Sequence, residues 1–155
     1  MNRFSFLWVF LFVFILTGCH HRILYESSVR VPSEGWAADR MIRFAVPVTD
    51  TAGYYDLFIQ VRNNRRYTYA NLWLFVRTTA PTGATVRDTL ECPLADNQGR
   101  WLGRGVAHQF AIEMPFKYRV KFPFPGTYRF EVQQGMREEL LKHISDIGLK
   151  IEKSK

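Results

Sequence analysis

Apolar and polar side chains alternate along most of this chain. In the clearest case Tyr55, Leu57, Ile59 and Val61 stand two residues apart, with polar residues among the positions between them. Because successive side chains of a β-strand point to opposite faces, this period predicts a strand with one buried face. The same period recurs at residues 42–48, 72–76, 110–114, 118–124, 128–132 and 147–151.

Turn-forming residues separate these segments, at residues 49–53, 63–66, 81–83, 96–99 and 123–126. Short strands with one apolar face must bury that face against another sheet when few helices are present to cover it. The sequence therefore predicts an all-β fold, a β-sandwich of jelly-roll or Ig-like type. The apolar spacing over residues 136–144 predicts one short C-terminal helix, followed by a last strand.

The segment around Trp73 and Phe75 departs from simple alternation. These aromatic residues stand between the apolar Leu72, Leu74 and Val76, so both faces of the strand are apolar. Such a strand is either central and covered on both sides or part of a sheet surface that awaits a partner. We prefer the first interpretation.

The chain begins with a short basic start and an apolar run over residues 4–16. A helix of that length rises about 20 Å, less than the roughly 30 Å hydrocarbon core of a bilayer, so the run suits a signal peptide. Thr17, Gly18 and Cys19 follow, which are the small residues and the thiol that lipoprotein processing needs. A signal anchor with an incidental cysteine is the alternative.

This pattern divides the chain into three parts. Residues 1–18 are predicted to be a lipoprotein signal peptide, residues 19–28 the lipidated N-terminus and tether, and residues 29–155 a single domain. Cys19 is predicted to carry the lipid and so to attach the protein to a membrane. Cys92 then has no partner for an internal disulfide and is predicted to be a small buried hydrophobe, with a reactive thiol as the alternative.

Charge narrows the choice of partner. Without the signal segment and its Arg3, 20 basic residues stand against 14 acidic ones, a net charge of +6. In an exported lipoprotein this excess favours anionic lipid head groups, cell-wall polymers or an acidic protein over nucleic acid, or it serves solubility alone. The basic residues 20–22 favour a periplasm-facing position, and the choice of inner or outer membrane stays open.

The loop over residues 96–105 is the first candidate interaction surface. Arg100, Trp101 and Arg104 are of the types enriched in binding hot spots, and three glycines stand among them. Alternatively, Trp101 and Leu102 pack into the sandwich while the glycines make turns.

The second candidate surface is a basic hairpin turn. Arg65, Arg66 and Tyr67 combine positive charge with an aromatic ring, a mixture that can bind anionic polymers or sugars. A solvated hairpin tip is the alternative.

The sequence gives little support for a catalytic site. The four histidines are scattered, which argues against a structural zinc site. Asp88 and Glu91 could act as paired carboxylates, although Asp88 with Thr89 is a better candidate for a hydrogen-bonding pair at a turn or an edge strand. No catalytic, metal or cofactor residue is predicted.

Several motifs together are more specific than any one of them. The chain resembles the GldH gliding-motility lipoprotein family of the Bacteroidota in Cys19, in Trp36 and, in order, in residues 71–76, 81–83, 88–89, 94–96, 99–105, 122–123, 126–130, 134–137 and 146–149. The resemblance implies a cell-envelope lipoprotein required for gliding, with no enzyme activity and no assigned ligand residues.

Two functional hypotheses follow. In the first, the protein is a lipid-anchored, non-catalytic assembly subunit that binds other envelope proteins, including motility or secretion lipoproteins. In the second, it is a carbohydrate- or peptidoglycan-binding module of the periplasm.

Overall fold

The structure, a computed structural model, describes residues 22–155. Cys19, with its predicted lipid, and the signal segment 1–18 lie outside the described residues. Over residues 22–155, no helix has both the length and the apolar character needed to cross a membrane.

Eleven β-strands make up the described chain. They are β1 (Ile23–Arg30), β2 (Trp36–Ala37), β3 (Ile42–Val48), β4 (Tyr54–Asn64), β5 (Asn71–Thr79), β6 (Thr85–Pro93), β7 (Arg104–Val106), β8 (Gln109–Lys121), β9 (Gly126–Gln134), β10 (Leu140–Leu141) and β11 (Ile144–Lys153). A five-stranded sheet has the order β1-β11-β4-β8-β7, and a four-stranded sheet has the order β3-β9-β5-β6. The short strands β2 and β10 pair with each other.

The core lies between the two larger sheets. The inward side chains of β4, from Tyr55 to Val61, are buried at every second position, and Leu72, Leu74 and Val76 of β5 are buried in the same core. The predicted all-β sandwich is confirmed, and so is the last strand, which is β11. The alternation of apolar and polar residues predicted these strands correctly because each of them buries only one face.

The helix predicted over residues 136–144 is wrong. The segment contains a turn and β10, in which Leu141 pairs with Trp36. The side-chain amide of Gln134 donates a hydrogen bond to the carbonyl oxygen of Glu138 (2.6 Å), and its oxygen accepts one from the N–H of Met136 (2.8 Å). A helix this short is marginal on its own, so these contacts and the strand pairing determine the local conformation.

The five-stranded sheet begins within the segment predicted to be a tether. Residues 23–28 lie in β1, which pairs with β11 from Ile23 opposite Glu152 to Arg30 opposite Asp146. Residues 23–28 of the predicted tether therefore belong to the sheet, and residues 19–21 lie outside the described residues.

A bulge corrects the prediction of two strands over residues 110–124. These residues contribute one long strand, β8, whose register with β4 shifts on either side of Leu57. Arg119 adopts a φ of 51° at this place. As a result Tyr118 is 62% exposed while Phe122 is 3% exposed, although the alternation placed both on one face.

Three prolines stand inside strands, each where the strand lacks a second neighbour. Pro47 and Pro93 lie in β3 and β6, the two outer strands of the four-stranded sheet. Pro115 of β8 pairs with β4 only, because β7 reaches no further than residues 109–111. Proline has no N–H to donate, so it is tolerated at these places.

Asp50 links the turn between β3 and β4 to the end of β11. Its carboxylate accepts hydrogen bonds from the N–H groups of Ala52 (3.0 Å) and Gly53 (3.3 Å) and lies 2.8 Å from Nζ of Lys153. The hydrogen bond with Lys153, followed by those from the two N–H groups, lowers the pKa of Asp50 to about 2.

This pKa predicts a loss of stability in acid. A carboxyl group whose pKa falls on folding stabilises the fold above its unfolded pKa, and this stabilisation is lost as pH falls through the folded pKa. The urea midpoint should therefore decrease between about pH 4 and pH 2, and Asp50→Asn should weaken that dependence. An unchanged dependence in the variant would contradict the assignment.

Cys92 lies on the inner face of β6 opposite Leu72, fully buried, as the sequence predicted. Burial raises the pKa of its thiol to about 12, so the reactive thiolate is scarce at neutral pH. A maleimide should modify Cys92 only after unfolding in denaturant, as measured by the mass of the intact protein. Rapid modification of the folded protein would show that this thiol is accessible.

Candidate functional site

A row of five side chains crosses the outer face of the five-stranded sheet. The strand registers place Arg30, Asp146, Arg62, Ala111 and Arg104 side by side, one from each strand between β1 and β7. Neighbouring strands lie about 4.8 Å apart, so the row is about 19 Å long. Asp146 lies 3.9 Å from Nε of Arg30 and 3.3 Å from Nη1 of Arg62. We call these five residues the arginine row.

A groove of about 630 Å³ runs beside the arginine row. Among the residues that line it, the side-chain amide of Gln60 donates hydrogen bonds to Glu26 (2.7 Å) and Glu113 (3.1 Å). Nζ of Lys150 lies 3.1 Å from Oε1 of Glu113 and 3.3 Å from Oε2 of Glu152. Burial acts to lower the pKa of Lys150, but its hydrogen bonds to these two carboxylates outweigh burial and raise the pKa. The groove therefore contains a pre-ordered polar network.

Two glycines pack closely against residues that line this groove. A Cβ atom on Gly148 would lie 2.6 Å from Oε1 of Gln60, and one on Gly103 would lie 2.8 Å from the carbonyl oxygen of Ala111. Both distances are too short for a real Cβ atom, so a larger residue at position 148 would move the side chain of Gln60, and one at position 103 would move the backbone at Ala111. Leu102 is 50% exposed and contributes to the wall.

The structure separates the three residues predicted in the loop over residues 96–105. Arg104 lies in the arginine row, whereas the exposed Arg100 pairs with Asp96 at 2.7 Å. Trp101 is half-buried and stacks on Phe110, with 5.6 Å between ring centroids. Trp101 therefore packs against the sandwich, as in the alternative, whereas Leu102, which that alternative also placed inside, is exposed.

The basic hairpin turn is divided in a similar way. Arg65 and Arg66 are exposed, and the N–H of Arg65 donates a hydrogen bond to the carbonyl oxygen of His108 (3.0 Å), next to β7. Tyr67 is only 5% exposed, and its hydroxyl donates to the carbonyl oxygen of Asn71 (3.0 Å). Burial raises the pKa of Tyr67. The structure therefore places Tyr67 in the core and not on the predicted surface.

Another candidate surface, distinct from the loop and from the hairpin turn, lies on the outer face of the four-stranded sheet. Trp73 and Phe75 of β5 are 38% and 45% exposed there, although β5 lies between β9 and β6. The interpretation that both faces of this strand are covered is therefore wrong for the part of the chain that the structure describes. We call Trp73, Phe75 and their neighbours Met41, Arg77 and Arg87 the aromatic face.

The aromatic face contains a depression of about 390 Å³ beside the ring of Phe75. Glu131 lies on its rim between two arginines, 2.9 Å from Nε of Arg43 and 3.2 Å from Nη1 of Arg77. These charges are paired with one another, so the face offers an aromatic centre with a polar rim.

A family model described as GldH lipoprotein matches residues 23–151, nearly all of the described chain. The chain belongs to the GldH lipoprotein family. It is 33% identical to the gliding motility lipoprotein GldH homolog of Christiangramia forsetii, over 94% of this chain and 95% of the relative. It is 32% identical to the gliding motility lipoprotein GldH of Flavobacterium johnsoniae, over 89% of each protein. The resemblance is confirmed, and the protein is a membrane-anchored lipoprotein of the cell envelope.

Among solved structures, this GldH-family chain aligns with a carbohydrate-binding module specific for non-crystalline cellulose. The TM-score is 0.45 and the identity 9%, over 84% of this chain and 73% of that chain.

The carboxylate pair considered from the sequence does not form a site in this GldH-family chain. Asp88 stands opposite the inward Val76 and pairs with Lys117 of the other sheet at 2.6 Å, whereas Glu91 stands opposite the outward Trp73. Because they point to opposite faces of β6, the two carboxylates cannot act on one bond. Over residues 22–155, no three His, Cys, Asp or Glu side chains come together in a way that could hold a metal ion.

Proposed function

We propose that this GldH-family protein is a non-catalytic, periplasm-facing assembly subunit of the motility or secretion machinery, anchored by a lipid on Cys19. It holds another envelope protein against the aromatic face. The observation that carries this proposal is the exposure of Trp73 and Phe75 at the middle of a sheet face. Both curated relatives are named for gliding motility, which supports the choice of machinery.

The composition of the aromatic face fits a protein partner. Aromatic residues, methionine and arginine are enriched in protein–protein interfaces, and Trp73, Phe75, Met41 and Arg87 represent all three types. The depression beside Phe75 can accept an apolar side chain of the partner, while the paired charges at the rim stay hydrated. Hot spots of this kind combine a desolvated centre with a polar surround.

Affinity capture with matched variants tests this proposal. The tagged full chain is purified from gently solubilised envelopes of its own bacterium, and the bound proteins are identified by mass spectrometry. An envelope protein should be captured by the native chain and lost from the double variant Trp73→Ser/Phe75→Ser, since each ring contributes roughly 30-fold in affinity. Cys19→Ala should also reduce the recovery of this partner.

The control is Val106→Ser with Leu140→Ser, which removes exposed apolar side chains outside the aromatic face. The control should retain the partner. The proposal would be contradicted if the aromatic-face variant captured the partner as well as the native chain does, or if no envelope protein bound to the native chain.

A second candidate function, binding of glycan or peptidoglycan, is favoured by the groove on the five-stranded sheet. Its carboxylates and its amide are held in place by one another, and Arg104 forms no ion pair among the described residues, so it is available to an acidic group. The native chain should co-sediment with isolated peptidoglycan, and Arg104→Gln should not. Arg87→Gln is the control, and absence of co-sedimentation by the native chain would remove this candidate.

A further inference from the structure

One end of the sandwich lies close to the lipid attachment point. The first strand starts at Ile23, which pairs with Glu152, and the N–H of Lys153 donates a hydrogen bond to the carbonyl oxygen of Arg22 (2.7 Å). Cys19 precedes Ile23 by four residues, and an extended chain spans at most about 3.6 Å per residue. A lipid on Cys19 would therefore tether this end of the sandwich within about 14 Å of its point of attachment.

Exposed aromatic rings and cations lie together at this end. Tyr54, which pairs with Lys121, is 47% exposed, and Tyr118 on the bulge of β8 is 62% exposed. The guanidinium carbon of Arg119 lies 5.0 Å from the centroid of the Tyr54 ring, and Nζ of Lys121 lies 6.0 Å from it. Tyrosine with adjacent Lys or Arg is typical of the membrane–water interface.

The acidic side chains at this end form hydrogen bonds and ion pairs within the protein. Asp50 pairs with Lys153, as described above. Asp56 accepts hydrogen bonds from the N–H of Arg119 (2.9 Å) and the hydroxyl of Ser154 (2.6 Å). Its pKa is lowered, because these hydrogen bonds outweigh the opposing effect of burial.

The balance of charge here is positive. The cations are Arg22, Arg119, Lys121, Lys153 and Lys155. Against them stand three carboxylates, those of Asp50, Asp56 and Glu152, and each is hydrogen-bonded or ion-paired within the protein, Glu152 with Lys150 at 3.3 Å. We call this end of the sandwich, with its five cations and the exposed Tyr54 and Tyr118, the anchor end.

We propose that the anchor end binds the anionic phospholipid head groups of the membrane that carries the lipid on Cys19. Lys and Arg near an anionic leaflet each strengthen membrane contact about fivefold, and the attraction extends over about a Debye length. The inference rests on the lipidation that is part of the proposed function, and it adds a second contact beside the lipid. The strands then run away from the membrane, and both the arginine row and the aromatic face stay open to partners at the sides.

The buried Cys92 allows a direct test in the full lipidated chain. An introduced Ala52→Cys, in the exposed turn of the anchor end, is labelled with an environment-sensitive fluorophore. Thr68→Cys, exposed beyond the far end of β4, is the matched control site. Both proteins are reconstituted into vesicles of phosphatidylcholine alone or with one third phosphatidylglycerol, and flotation reports attachment through the lipid.

The label at Ala52→Cys should shift to shorter wavelength in the anionic vesicles only, and the label at Thr68→Cys should not respond. Arg119→Glu with Lys121→Glu should lower the equilibrium constant of contact at least 25-fold, whereas Lys142→Glu should not. Salt at 0.5 M should weaken the shift without any substitution. A label at Ala52→Cys that responds equally to neutral and anionic vesicles would overturn the inference.

The experiments can contradict the proposed partner binding and the inferred membrane contact independently of each other. No partner protein is present in the vesicles, so loss of partner capture in envelopes leaves this result unaffected. Failure of the native chain to float would contradict lipidation of Cys19, and with it both the proposed anchor and the contact inferred here. Chains that float without any response to anionic lipid would overturn only the present inference.

Discussion

Replacing Trp36 with alanine is expected to lower the free energy of unfolding by about 3–5 kcal/mol, the usual cost of removing a buried large aromatic side chain. Trp36 is completely buried, and its indole N–H donates a hydrogen bond to the carbonyl oxygen of Arg40 (2.8 Å). It also begins β2, which pairs with β10. The substitution therefore leaves a cavity and removes the hydrogen bond to Arg40 in one place.

Urea unfolding of the full chain measures this effect. Trp73→Ala is the matched control, because it removes the same side chain from an exposed site and should cost less than half as much. A Trp36→Ala protein as stable as this control would contradict the packing of Trp36. A loss of 3–5 kcal/mol is a large part of the 5–15 kcal/mol typical of domains, so low yield of folded Trp36→Ala is also expected.

Replacing Gln134 with leucine is expected to cost about 2–4 kcal/mol, although leucine nearly matches its volume. Gln134 is 2% exposed and satisfies both the carbonyl group of Glu138 and the N–H of Met136. Leucine would remove both hydrogen bonds: the half-buried N–H of Met136 would lose its partner at a cost of about 1–3 kcal/mol, and loss of the bond to the exposed Glu138 would cost about 1 kcal/mol. Hydrogen exchange should also become faster over residues 135–141, because the turn loses its internal support.

Gln98→Leu, on an exposed turn, is the control for this substitution and should change stability by less than about 0.5 kcal/mol. If Gln134→Leu were as stable as the native protein, the side-chain hydrogen bonds would not determine the conformation of this segment. The helix predicted from the spacing of Met136 and Leu140 would then need another explanation for its absence.

The strands that the sequence predicts well are those with one fully apolar face. In β3, β4 and β9 every second side chain is buried, so period and burial coincide. The strand β1 gave no such signal, because its inward positions include Ser27 beside Tyr25 and Val29. The edge strand β6 gave no clear signal either, because its inner face carries the polar Asp88 as well as the apolar Leu90.

The candidate site was less accessible to sequence analysis than the fold. Arg65, Arg66 and Arg104 were singled out by local composition, but the polar residues Glu26, Gln60 and Glu113 were not. They come together through pairings between strands far apart in the chain, and alternation carries no information on register between such strands. The available signal was that Asp56, Gln60 and Arg62 share one face of β4, which indicated that this face is largely polar but did not show which residues of other strands lie beside it.

The prolines in β3, β6 and β8 bear on how copies of this protein behave together. Lipoproteins in one membrane share an orientation and are confined to two dimensions, so exposed strand edges on neighbouring molecules meet often. An unprotected edge is a template for intermolecular strand addition and aggregation. Pro47 and Pro93 each remove an N–H donor from a border strand of the four-stranded sheet, which disfavours strand addition from a neighbouring molecule at these two borders.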